Sequence, residues 1–187
     1  VVNLGGICNV TELPASCTPS QVRGYDAGPC NLLIDGVVRR LYPGKPYDRD
    51  GLLASRGKVD TAFHDEVRAH PFYQRAVPRS TGREDFDDLW LDSLVAKFGQ
   101  RLDADDLIAS AVDTVAVEIA QCAQHMEVIL AGGATHNHEL VRQITRHCEG
   151  KTNVMISDEL NIPAAGREAI GFAVLGALSQ DHIPITL

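Results

Sequence analysis

The sequence predicts an α/β fold in which a three-strand meander opens a largely parallel sheet flanked by helices. Three short apolar or alternating runs near the start, at 1–6, 9–13 and 22–26, are separated by turn residues. Later strand-like runs at 127–135 and 153–157 alternate with helical patterns. Strands that alternate with helices favour parallel pairing, because each crossover helix returns the chain to the same edge of the sheet.

Apolar residues three to four positions apart predict the helices. Residues 31–42 have the pattern of an amphipathic helix, and Pro29 suits its first turn. Thr81 and Glu84 have the spacing of a capping box, which predicts a helix that begins there and continues through Leu94. Further helices are predicted at 59–70, at 137–148, at 167–180 and after Asp103, a candidate cap.

A single insert interrupts this order of elements. Residues 44–100 hold helical segments between irregular stretches rich in Gly, Pro and charge, and no strand is predicted there. A meander followed by alternating helices and strands is the arrangement of one lobe of the actin, sugar-kinase and Hsp70 group, whose lobes are ribonuclease H-like. We therefore interpret residues 1–187 as one such lobe with an irregular helical insert at about 44–100.

Composition and charge exclude several classes of function. The 187 residues are 44% hydrophobic and 22% charged, and the formal net charge is −8. The acidic balance argues against non-specific binding to nucleic acid or to anionic membranes, and no apolar run approaches membrane-spanning length. The five cysteines are odd in number, scattered and without a CxxC pair, so we predict no disulfide framework or zinc site and a cytoplasmic location.

Two glycine pairs and one carboxylate are the candidate functional features. Gly5-Gly6 and Gly132-Gly133 both follow apolar strands, where glycine allows backbone N–H groups to approach an anion closely. Taken singly, each pair is better explained as a tight turn. Asp26 ends a strand beside Gly28, where it is either structural or a catalytic base.

Other motifs indicate no metal site. Asp48 and Asp50 stand as in a calcium loop, but Val59 occupies the position of the closing acidic ligand. His136 and His138 have no third partner and are better explained as surface or capping residues. The charges at 103–106 have the composition of a solvated helix start.

Six stretches together resemble the second half of the anhydro-N-acetylmuramic acid kinases, members of the sugar-kinase, Hsp70 and actin superfamily. In order they are VNLGGICNVT (2–11), GYDAGPCNLLID (24–35), YDRDG (47–51), PRSTGRE (78–84), AGGATHN (131–137) and REAIGFAVLG (167–176). The resemblance spans nearly the whole chain. PRSTGRE together with GYDAGPCN is its most specific part, since the glycine pairs are shared across the superfamily.

The resemblance implies a reaction and a set of site residues. Such enzymes use ATP and Mg²⁺ to phosphorylate 1,6-anhydro-N-acetylmuramic acid and open its anhydro ring, in the recycling of the cell wall. The family's catalytic aspartate corresponds to Asp26. The residues implied for the nucleotide are Leu4, Gly5, Gly6, Asn9, Ala131, Gly132, Gly133, Ala134 and Asn137, and those implied for the sugar are Asp26, Gly28, Asn31 and Glu168.

The resemblance also implies limits. Ala27 and Cys30 stand where the family often has Thr and Gly, which leaves the base in place but alters its surroundings. The family's first lobe, with its own phosphate loop, is absent from these residues. We expect little kinase activity from this chain alone, and a homodimer is a further expectation. The alternatives are a non-catalytic nucleotide-binding or interaction module of the same fold, or a related kinase that acts on an ordinary sugar hydroxyl.

Overall fold

The computed structural model describes residues 1–123, 127–164, 166–183 and 185. Five strands form one sheet: β1 (Val2–Leu4), β2 (Ile7–Glu12), β3 (Arg23–Pro29), β4 (Val128–Ala131) and β5 (Val154–Ile156). Their order across the sheet is β3-β2-β1-β4-β5. The first three strands pair antiparallel as a meander, while β4 lies parallel to β1 and β5 lies parallel to β4. The predicted meander with added parallel strands is therefore confirmed.

Six α-helices accompany the sheet in the described residues: α1 (Asn31–Leu41), α2 (Thr61–Arg68), α3 (Asp88–Phe98), α4 (Ala104–Cys122), α5 (His138–Cys148) and α6 (Arg167–Gln180). The longest, α4, packs on β3 and also contacts α1, α2 and α5. Almost every residue from Leu107 to Ala116 is buried, because this helix has neighbours on several sides. Helix α4 is the centre of the hydrophobic core.

The insert at 44–100 contains α2, α3 and three short 3-10 helices, and no strand. Its first part is fixed by Asp48, whose two carboxylate oxygens accept from Leu53 N at 2.8 Å and Ala54 N at 3.0 Å. Asp48 therefore fixes this part of the insert through two backbone amides. None of the helices in the described residues is long and apolar enough to cross a bilayer.

Helix α1 begins at Asn31 as predicted, but the role predicted for Pro29 and the predicted start of α3 are wrong. Pro29 is the last residue of β3, paired with Ile7, and not part of the first turn of α1. Helix α3 begins at Asp88 rather than near Thr81, and the side chain of Asp87 accepts from Trp90 N at 2.8 Å. Both errors have one cause: a local spacing rule cannot detect that long-range partners already hold these residues.

The acidic start of α4 is also more than a solvated end. Asp103 occupies the cap position without a capping hydrogen bond from its side chain. Asp105 accepts from the Tyr42 hydroxyl at 2.6 Å and pairs with Arg56 at 2.9 Å. Asp106 accepts from Lys58 N at 2.7 Å. These carboxylates attach the insert to α4, so the composition of a solvated helix start was misleading here.

Candidate functional site

The carboxylate of Asp26 is held by donors on both oxygens. Asp26 lies on β3 and is 8% exposed. Asn9, on the neighbouring strand β2, donates its Nδ2–H to Oδ1, and Thr81 donates its backbone N–H to Oδ2 at 2.8 Å. A carboxylate offers about four lone-pair positions. Two acceptor positions on a fixed carboxylate therefore remain for a proton donor such as water.

Arg79 fastens the segment before Thr81 onto β3. Its backbone oxygen accepts from Asp26 N at 2.8 Å, and its guanidinium donates to the backbone oxygen of Ala27 at 3.2 Å. The same guanidinium lies over the ring of Phe72, 4.3 Å from the centroid. Arg79 thus fixes the segment that supplies the second donor to Asp26, although it does not touch the carboxylate.

The first glycine pair holds the start of α1 through its carbonyl groups. The backbone oxygen of Gly6 accepts from Cys30 N at 2.9 Å and Leu32 N at 3.0 Å, and that of Gly5 accepts from Asn31 N at 3.0 Å. The side chain of Cys30 is fully buried, and burial raises the pKa of this thiol to about 12. Cys30 is therefore a neutral packing residue and no nucleophile.

Gly133, of the second glycine pair, borders a cleft of about 570 Å³, which we call the first cleft. Gly133 is exposed, and Ala134 and Asn137 line the cleft beside it. On the facing side lie residues of α1 and of the insert, namely Asn31, Asp35, Tyr47, Asp48, Arg49 and Asp50. The first cleft is therefore formed by the turn after β4, the start of α1 and the insert together.

A second cleft of about 560 Å³ adjoins the first. Gly6, Asn31 and Asp35 border it on the α1 side. Its other walls come from α1 and from the segment before α3, with Leu32, Arg39, Arg83, Phe86 and Asp87 among them. Asn31 and Asp35 line both clefts, so ligands in the two would be neighbours across this pair of side chains.

Asp35 is half-buried and makes no hydrogen bond or ion pair through its side chain with the residues described. Burial raises its pKa to about 6; Arg39 opposes this rise, and Asp48 adds to it. An unneutralised carboxylate between two clefts is a feature found at functional sites. Asp35 is not among the candidate site residues named from the sequence, although it lies four residues after Asn31 and so on the same helix face.

The structure brings together only part of the set implied by the resemblance. Gly133, Ala134, Asn137 and Asn31 meet at the first cleft, and Gly6 and Asn31 meet at the second. Leu4 and Ala131 are fully buried, so their side chains face the core. Asn9 contacts Asp26, Gly5 holds α1, and Gly28 packs under Tyr73. The side chain of Glu168 lies outside the described part of the chain.

Thr81 and Arg79 are functional neighbours that sequence reasoning misread or missed. Thr81 lies in the PRSTGRE stretch that resembles the kinase family, but the spacing of Thr81 and Glu84 predicts a helix cap. No local pattern could reveal its bond to Asp26, because the two residues are 55 positions apart in the chain. Asp26 itself lines neither of the two clefts. Its hydrogen bond with Thr81 connects it to the segment that carries Arg83, which lines the second cleft.

Comparison with protein families decides the relationship. A family model described as "Anhydro-N-acetylmuramic acid kinase" matches residues 1–187. The chain belongs to this family. Members of the anhydro-N-acetylmuramic acid kinase family from three bacteria have the following identities: Shewanella amazonensis, 33% over 100% of the chain; Clostridioides difficile, 34% over 93%; Cupriavidus metallidurans, 35% over 98%.

The family match covers only part of its curated members. The chain spans about half the length of those relatives, 50%, 47% and 50% respectively. Among solved structures, the activator of 2-hydroxyisocaproyl-CoA dehydratase from Clostridium difficile with bound ADPNP superposes with a TM-score of 0.58 at 14% identity. That superposition covers 100% of this chain and 63% of the other, and at this identity it shows the fold alone. The predicted actin-like ATPase fold is confirmed.

Proposed function

We propose that this chain is the C-terminal lobe of an ATP-dependent kinase that converts 1,6-anhydro-N-acetylmuramic acid to N-acetylmuramic acid 6-phosphate and opens the anhydro ring. One observation carries the proposal: two clefts adjoin at Asn31 and Asp35, and the segment that lines the second grips Asp26. A kinase needs a nucleotide and a phosphoryl acceptor side by side. Family membership supports the choice of the anhydro sugar as the acceptor.

The first cleft is suited to the nucleotide. Gly133 is exposed and no atom lies within 4 Å of the position that a side chain would take, so its backbone is open to a phosphate or to the adenosine. Helix α5 begins beside it, although its cap residue Asn137 already accepts from Leu140 N at 3.0 Å. Of the nucleotide set, Gly133, Ala134 and Asn137 are the residues that we assign to direct contact.

A magnesium ion would arrive with the nucleotide phosphates. In the described residues, no group of three or more His, Cys, Asp and Glu side chains could hold a metal by itself. Mg²⁺ is commonly bound by one or two carboxylates together with phosphate oxygens, and the unpaired carboxylate of Asp35 fits that role. When bound, the ion neutralises charge on the transferred phosphoryl group.

Asp26 acts as the general base in this proposal. Its free lone pairs accept a proton from a water molecule as the water oxygen bonds to the anomeric carbon of the sugar. The bond from that carbon to O6 breaks, and O6 forms a bond to the γ-phosphorus while ADP departs. Asn9 and Thr81 keep the carboxylate in one orientation during this step.

The remaining half of the relatives' length would complete the site. Helix α6 contains ten successive apolar residues, 169–178. Their side chains are nevertheless largely exposed, with Phe172 at 74%. A helix that is apolar on all sides is normally buried. We assign this surface to contact with the first lobe of the same polypeptide, and we expect the chain alone to have little activity.

The test uses the full-length polypeptide that contains this chain, with ATP and the anhydro sugar in ¹⁸O-labelled water. We expect a product phosphorylated on O6, with the label on the anomeric carbon, by mass spectrometry and ³¹P NMR. Asp26→Asn should lower kcat about 10³-fold. Asp65→Asn, on an exposed face of α2, is the matched control and should leave kcat unchanged.

Three results would contradict the proposal. A phosphorylated sugar with an intact anhydro ring would indicate a kinase for an ordinary hydroxyl. Nucleotide binding without sugar binding, measured by calorimetry, would indicate a binding module. Turnover that survives Asp26→Asn would remove Asp26 as the base.

A further inference from the structure

The turn that grips Asp26 also presents a cation to the second cleft. Thr81 donates its N–H to Asp26 Oδ2 at 2.8 Å, and its hydroxyl donates to Asp85 Oδ2 at 2.7 Å. Arg75 pairs with Asp85 through two bonds of 2.8 and 2.9 Å. Arg83 therefore lies in a turn that is fixed at both ends. Its Cα is within about 7 Å of that of Thr81, the reach of two residues.

The guanidinium of Arg83 has no partner among the described residues. It is exposed at the second cleft and makes neither a hydrogen bond nor an ion pair with any of them. Of the two acids that follow it, Glu84 makes no hydrogen bond or ion pair with Arg83, and Asp85 is taken by Arg75, whose bonds lower the pKa of this carboxyl to about 2. Arg83 is thus an available positive charge.

Apart from Asp35, whose carboxylate also has no partner among the described residues, the other charges that line the second cleft are engaged. Asp88 pairs with Arg40 at 2.8 Å, and Asp87 accepts from Trp90 N at 2.8 Å. Arg39 donates to the backbone oxygen of Pro46 at 3.3 Å and acts electrostatically on Asp35. Two cations line this cleft in the described chain, and Arg83 differs from Arg39 in having no such partner, so an anionic ligand would find its partner at Arg83.

We propose that Arg83 binds the carboxylate of the acidic amino sugar and thereby selects the substrate. The inference rests on the proposed function, because it takes the sugar to occupy the second cleft. Muramic acid differs from glucosamine by a lactyl ether that bears a carboxylate. A guanidinium matches a carboxylate with two parallel hydrogen bonds. Arg83 would then hold the acidic end of the sugar, and the bond between Thr81 and Asp26 ties the proposed base to the same turn.

The test compares two substrates in the full-length polypeptide: 1,6-anhydro-N-acetylmuramic acid and its neutral analogue 1,6-anhydro-N-acetylglucosamine. Arg83→Gln should lower kcat/KM for the acidic sugar about 10- to 100-fold, mainly through KM, and leave that for the neutral sugar unchanged. Arg83→Lys should recover part of the loss, since it keeps the charge but not the paired geometry. Arg39→Gln, in the same cleft, should change both sugars by the same factor.

Each outcome decides the matter. If Arg83→Gln retains the wild-type preference for the acidic sugar, or if Arg39→Gln abolishes that preference instead, Arg83 is not the selecting residue. An equal loss for both sugars would also overturn the assignment, since it would indicate a structural role. If the wild-type protein phosphorylates neither sugar, the proposed function fails, and the inference fails with it for a reason that can be recognised separately.

Discussion

The two glycine pairs, Gly5-Gly6 and Gly132-Gly133, look alike in the sequence but have different roles in the structure. Gly5-Gly6 joins antiparallel strands, and its carbonyls hold the start of α1. Gly132-Gly133 follows a strand of the parallel part of the sheet, and its second residue, Gly133, borders the open first cleft. The first pair organises the corner that contains Asp26, while the second leaves backbone free for a ligand. The same dipeptide after a strand is thus a structural junction in one place and a candidate binding surface in the other.

The largest effect should come from Gly132. Its φ of +95° belongs to glycine, and an added Cβ would lie 2.7 Å from both Asn3 Oδ1 and Leu4 O. We expect Gly132→Ala to lower the free energy of unfolding by about 3 kcal/mol. Urea denaturation of this chain measures it.

Gly133→Ala is the matched control, because open space surrounds that position. Its free energy of unfolding should stay within about 0.5 kcal/mol of wild type, while ADP binding to the full-length polypeptide weakens. Equal destabilisation by the two alanines would contradict the division of roles within the second pair.

Substitution of Asn9 tests how the Asp26 carboxylate is held beside Gly5-Gly6. Asn9→Ala removes the donor to Asp26 Oδ1 but keeps the Thr81 N–H on the other oxygen. Because a hydrogen bond to a charged group is lost, we expect about 1.5 kcal/mol less stability. The kcat of the full-length polypeptide should fall about 10-fold from a less constrained carboxylate. Thr11→Ala, on the same strand, is the control, and an Asn9 variant that matches it in both readouts would refute the positioning role.

The pH dependence of stability tests whether Asp35, at the boundary between the two clefts, is desolvated in the folded state. Its pKa is raised to about 6, so the folded state binds this proton more tightly than the unfolded state does. The group's contribution to the free energy of unfolding therefore falls as pH rises from about 4 to about 6. Asp35→Asn should stabilise the protein by about 1 kcal/mol at pH 7.5, after allowance for partial exposure, and by almost nothing at pH 4.

Thermal unfolding at the two pH values, with Asp65→Asn as control, would check this dependence. A stabilisation by Asp35→Asn that is equal at both values would mean that the carboxylate is not desolvated in the folded state. It would then have no special place at the cleft boundary.

The smallest effect should come from Gly6. Nothing lies within 4 Å of an added Cβ, and its hydrogen bonds to α1 use the backbone oxygen, which alanine keeps. Gly6→Ala should change the free energy of unfolding by no more than about 0.5 kcal/mol, measured by urea denaturation. A loss of several kcal/mol would show that the junction needs glycine as much as Gly132 does.

The sequence by itself determined the order of elements, the sheet class and the strand on which Asp26 lies. Periodicities of two and of three to four residues are local properties, so they survive without knowledge of the fold. Turn residues marked the meander, but the predicted end of its third strand at Asp26 was wrong, because β3 continues to Pro29 through its pairing with β2 and Asp26 lies in the middle of the strand. The resemblance carried by six short stretches determined the family, which the family comparison confirmed.

Only the tertiary structure decided which residues share the site. The bond between Thr81 and Asp26, the hold of Arg79 on β3 and the isolation of Arg83 all depend on where a distant segment docks. For the same reason the apparent capping box at Thr81 was wrong: its N–H was already used by a carboxylate 55 residues away. Local patterns predict elements because their causes lie within a few residues. A site is made by contacts across the chain, and those follow from packing.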